Sequence, residues 1–81
     1  MSSREVEELA HKIRVRTSIR LTYIQNRSIE QMLRVVLFSE IVLPEHWLWV
    51  GSVMLREMPE LTNDFTESEL ELIGEAHALH Q

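Results

Sequence analysis

The sequence predicts an all-α fold, a compact bundle of about four helices over roughly 3–24, 28–42, 45–57 and 67–79, forming one domain (1–81) that pairs as a homodimer. Three observations predict it. Apolar residues recur three and four positions apart along most of the chain. Three stretches place Glu or Gln three residues after Ser or Thr, the signature of a capped helix start: Ser2–Glu5, Ser28–Gln31 and Thr66–Glu69. The two prolines, Pro44 and Pro59, stand at the edges of apolar runs, where a ring without an N–H ends a helix.

The first helix opens at Ser2, with Glu5, Glu7 and Glu8 in the turns where the helix dipole favours anions. Val6, Leu9, Ala10, Ile13, Thr17, Leu21 and Ile24 then trace one helical stripe, weakest at Thr17. A second pattern overlies it. From Lys12 to Tyr23 the residues also alternate with period two, Ile13, Val15, Thr17, Ile19, Leu21 and Tyr23 against Lys12, Arg14, Arg16, Ser18, Arg20 and Thr22. Residues 12–23 could instead be a β-strand on that ground. Helix is preferred because no glycine or proline precedes Pro44 and no second strand candidate is as clear.

Asn26 suits a left-handed helix end, and Ser28 then caps a second helix reaching about Val42. Its first apolar face is Ile29, Met32, Leu33, Val36 and Leu37; from Val35 on, apolar residues lie all round, which indicates burial on several sides. Pro44 stops it and favours the start of a third helix at about 45–57, on which Trp47, Val50, Met54 and Met58 share a face. Gly51 and Ser52 would admit a close neighbour. Residues 61–64 read as a loop. The fourth helix has the strongest start signal, the Thr66/Glu69 box with Phe65 and Leu70 at the positions of a hydrophobic staple.

Composition narrows function more than it identifies it. A hydrophobic content of 44% with 26% charged residues is that of a globular chain, not a disordered one. No cysteine, no apolar leader and no long apolar run are present, so a cytoplasmic protein away from membranes is expected. Two glycines supply no phosphate-binding loop, and no nucleophile motif occurs. His77 and His80 are three apart, but zinc needs further ligands that no His-Glu-x-x-His or cysteine pair provides. No enzyme activity, metal, cofactor or small-molecule ligand is expected.

Charge is uneven. Residues 1–27 carry six basic and three acidic groups, and residues 28–81 carry two basic and ten acidic ones, within a net charge of −5. Lys12, Arg16 and Arg20 form one like-charged stripe and Glu67, Glu71 and Glu75 another, which would relieve each other face to face, within one chain or across a dimer.

The third helix carries more apolar surface than a small bundle can cover. The expected protein interface is therefore Leu48, Trp49, Val53 and Leu55, with Arg14, Arg16 and Arg20 at its rim. On this basis the chain is expected to be a small non-enzymatic regulatory protein, an inhibitor, anti-activator or adaptor, that binds itself and another protein. If residues 12–23 were a strand, two copies could pair as a ribbon and set Arg14, Arg16, Ser18 and Arg20 in a DNA groove. That layout, over about 13–58, resembles the ribbon-helix-helix repressors and would imply DNA-binding transcriptional repression. It departs from them in the capped helix before the strand, the acidic last helix and the net −5, which opposes phosphate. A structural subunit of a larger assembly is the third expectation.

Overall fold

The whole stripe read from the sequence is shielded from water, Val6, Leu9, Ala10, Ile13 and Thr17 on helix α1, Ser3–Arg20, and Leu21 and Ile24 beyond its end, which falls four residues short of the expected one. The computed structural model describes residues 3–79, with side chains for 4–78. No strand occurs among them, so the strand alternative for 12–23 is overturned. After Arg20 the chain tightens into a 3-10 turn, Leu21–Tyr23, and leaves it through an extended Ile24. Thr17, the weak point of the stripe, is satisfied where it stands. Its hydroxyl lies 2.8 Å from the Ile13 carbonyl oxygen and 2.8 Å from Met54 Sδ.

Helix α2, Arg27–Leu37, differs from expectation at both ends. Asn26 does not close α1 in a left-handed conformation. Its backbone is extended, and its side-chain oxygen accepts from the Ser28 and Ile29 N–H groups at 3.1 and 3.3 Å, so Asn26 rather than Ser28 is the N-cap. The helix also stops at Leu37, five residues before Val42. Ser39 N–H bonds back to Val36 in a tightened last turn, and the Ser39 hydroxyl accepts from Ile41 N–H at 3.4 Å. Leu43 must be extended ahead of Pro44, and the chain needs these residues to change direction before the next helix.

Helix α3, Pro44–Glu57, begins with Pro44 in its first turn and ends before Pro59. It lies against both α1 and α4 and is the central helix of the molecule. Trp47, Val50, Met54 and Met58 are buried as one face; Leu48, Gly51 and Val53 are buried as well. Residues Pro59–Asp64 form a 3-10 segment rather than an open loop, with Leu61 turned inward.

Helix α4, Glu67–Leu79, starts from the expected capping box. Thr66 N–H donates to Glu69 Oε1 at 2.8 Å, and Glu69 N–H donates to Thr66 Oγ1 at 3.2 Å. Phe65 is buried just ahead of it, with Leu70 half-buried. The first capping box includes Ser2, which lies outside the described residues.

Candidate interaction surface

The helices distribute the expected interface residues unequally. Leu48 and Val53 are buried inside the chain, and Trp49 and Leu55 are half-buried. Helix α3 is enclosed by α1 and α4, so little of its apolar circumference reaches water. Of the rim residues, Arg14 and Arg20 are exposed, with the Arg14 guanidinium 5.9 Å from the Trp47 ring. Arg16 turns toward the start of α4, its Nε 3.6 Å from Asp64 Oδ2, an ion pair too long to be a hydrogen bond. The three arginines do not converge on one site.

The basic stripe of α1 does meet acidic groups near α4, though not those expected. Lys12 Nζ contacts Glu69 Oε1 at 2.9 Å and lies 4.7 Å from the centre of the Phe65 ring. Burial works against the Glu69 carboxylate, but the Thr66 N–H and the Lys12 ammonium outweigh it and hold its pKa below the ordinary glutamate value. Glu67, Glu71 and Glu75 remain exposed.

The large apolar side chains left in water lie elsewhere. Val35, Phe38 and Ile41 are 72, 77 and 87% exposed, with Leu43 beside them in the α2–α3 connection. A second set lies on the far side of α1 and its 3-10 extension: Val15 and Ile19 (57%) on the helix and Tyr23 (64%) at the end of the turn that follows. Helix geometry explains this second set. Residues two apart on a helix point about 200° apart. The alternation of residues 13–23 is thus two stripes of α1 continued into its 3-10 turn, Ile13, Thr17 and Leu21 facing the core and Val15, Ile19 and Tyr23 facing out. That signal was present in the sequence, and its period of two disguised it as a strand.

A groove of about 460 Å³ joins the two exposed sets. One wall is His11, Arg14, Val15, Ser18 and Ile19 of α1, and the other is Leu37 and Phe38 at the end of α2. A smaller hollow beside it is lined by Val36, Val42, His46, Trp49 and Val50, which places the half-buried Trp49 near the same surface.

Two other places have functional groups in proximity. An acidic cleft between α1 and α4 is bordered by Glu5, Glu8, Glu71 and Glu75. Ser52 Oγ lies 3.4 Å from His77 Nδ1, but it donates its proton to the Trp49 carbonyl at 2.6 Å, so the serine is not poised as a nucleophile. Among the described residues no three His, Asp or Glu side chains gather to hold a metal ion, and His80 lies outside them. No described helix is long and apolar enough to cross a membrane. Comparison with known protein families, curated proteins and solved structures finds no match for this chain.

Proposed function

We propose that this protein is a small non-enzymatic regulatory or adaptor protein that works by holding another polypeptide against the surface formed by the outer stripe of α1 and residues 35–43. The observation that carries this reading is the exposure of Val35, Phe38 and Ile41, three large apolar side chains within seven residues. Scattered exposed apolar residues are ordinary, whereas a continuous apolar patch marks an interaction surface. Phe38 is its anchor, because an aromatic side chain that leaves water for a partner's pocket releases the most apolar area. Arg14 borders the patch as a steering charge, and Trp49 lines the neighbouring hollow with Val36 and Val42. The homodimer expected from the sequence would draw on the same surface. A DNA-binding ribbon has lost its premise, since Arg14, Arg16 and Arg20 diverge around a helix instead of lining one strand face.

A photo-crosslinking side chain, p-benzoylphenylalanine, in place of Phe38 tests this in living cells. Illumination is expected to attach the chain to a polypeptide, with no adduct when the same group replaces the exposed Glu71 on α4. No adduct from position 38, or equal adducts from both positions, overturns the reading.

A further inference from the structure

Resting on the reading that this surface holds a polypeptide, we infer that its occupant is an acidic amphipathic segment of another protein. Its apolar side chains lie in the groove, and one of its carboxylates is held by Arg14.

The surface is continuous. The groove between Ile19 and Phe38 shares His11 and Arg14 with a shallower hollow of about 210 Å³ that extends to Val42, Pro44 and Trp47. Val42 in turn lines the hollow of about 350 Å³ beside Trp49. The three make one path from the outer side of α1 to α3, and Arg14 stands where the first two meet. Open hollows in series suit a chain that places successive side chains in them, as a helix does in a groove.

Charge selects the kind of chain. The protein has thirteen acidic side chains, and among the described residues Glu7 is the single one that lines this path. The other titratable groups on it, Arg14, His11 and His46, carry no negative charge. Lys12, Arg16 and Arg34 are each held by a carboxylate of the same chain: Glu69, Asp64 and Glu30. Arg14 differs from them. It is exposed, 5.9 Å from the Trp47 ring, and no carboxylate lies in ion-pair range of it among the described residues, Glu7 included. The ring orients the guanidinium and leaves its fork of N–H groups for a carboxylate from outside.

The same charge turns other occupants away. A second copy docked through this face would bring a like guanidinium to Arg14, and a lysine-rich segment would meet it as like charge. Nucleic acid would bring phosphates to a chain of net −5.

The probe is a fluorescein-labelled peptide of about 18 residues, with leucine at three-and-four spacing and glutamate between. Its twin carries lysine in place of every glutamate. Fluorescence anisotropy with the purified full chain is expected to give saturable binding of the glutamate peptide, with Kd below about 50 µM. The lysine peptide is expected to bind about 10-fold more weakly or worse. Arg14→Glu is expected to reverse that order, and Phe38→Ala to weaken both peptides about 5-fold, with the far-ultraviolet circular dichroism unchanged. Should Arg14→Glu fail to fold, Arg14→Gln is expected to abolish the preference. Arg27→Glu makes the same charge change at the far end of α2, ~16 Å from Phe38 and beyond the ~8–10 Å reach of charges in salt. It is expected to leave binding unchanged. No binding of the glutamate peptide at about 100 µM, equal binding of the two peptides, or a preference that survives Arg14→Glu overturns the inference. A dimer in light scattering that Phe38→Ala dissolves also overturns it, by making the occupant a second copy. In any of these cases an adduct from position 38 to a different polypeptide leaves the proposed function standing, with a partner of other chemistry. Absence of that adduct removes both.

Discussion

At the residue scale, two glycines on helices show how much depends on the neighbour. A Cβ on Gly51 would lie 2.8 Å from Ile13 Cδ1, and Ile13 is fully enclosed between α1 and α3, so it has nowhere to go. Gly51→Ala is expected to destabilise by about 1–2 kcal/mol in chemical denaturation, overpacking outweighing the helical preference of alanine. A Cβ on Gly74, exposed in the middle of α4, meets nothing within 4 Å. Gly74→Ala is expected to stabilise by about 0.5–1 kcal/mol, read as a higher midpoint in the same experiment. An unchanged or raised midpoint for Gly51→Ala would show that α1 and α3 can part more easily than their packing implies.

Thr17 makes a related point. Its hydroxyl is buried, yet the Ile13 carbonyl it approaches already belongs to the helix ladder. Thr17→Val removes the hydroxyl without orphaning another group, and the expected change in stability is under about 1 kcal/mol. A loss of several kcal/mol would mean that the contact with Met54 Sδ matters more than its chemistry suggests.

At the scale of elements, the start of α4 combines a cap with a tertiary contact. Thr66→Ala should cost about 1 kcal/mol through loss of the cap alone. Glu69 serves both partners: one of its oxygens accepts from Thr66 N–H and from Lys12 Nζ. Its pKa is depressed in the folded chain, so its contribution is complete above the unfolded-state pKa and is lost as pH falls through the folded one. Denaturation of the native chain and of Glu69→Gln from pH 7 to pH 3 should therefore give a constant difference above about pH 5 that narrows below it. A difference independent of pH would remove the carboxylate's charge from the account.

Helix α1 belongs to the same scale. Its inner stripe was legible because burial imposes a period near 3.6 on the residues that must meet the core. Its outer stripe was present too, and the two together imitate the period of a strand. The early stop of α2 was not legible. Residues 38–42 contain nothing that forbids a helix, and what ends it is the need to bring α3 back against α1.

At the scale of the whole molecule, α1 is tied toward the start of α4 by Lys12–Glu69, between half-buried side chains, and by the more exposed Arg16–Asp64. Reversing Lys12 and Arg16 to Glu together is expected to lower stability by about 1–3 kcal/mol, because Glu69 and Asp64 would then face like charge. Arg20→Glu, at an exposed site with no carboxylate in ion-pair range among the described residues, should change stability by less than about 0.5 kcal/mol. Equal effects from the two changes would mean that overall charge, not this pairing, governs the result.

The sequence by itself determined the all-α class, the buried stripe of α1, the limits of α3 near its two prolines and the capped start of α4. Each is a local matter, set by side-chain spacing, a missing N–H or a reciprocal hydrogen bond within four residues. Tertiary structure decided which apolar residues were surplus. The tryptophan-rich third helix looked exposed because it is apolar all round, and α1 and α4 enclose it. The surplus fell instead to residues 35–43 and to the far side of α1, because no fifth helix remains in the described chain to cover them.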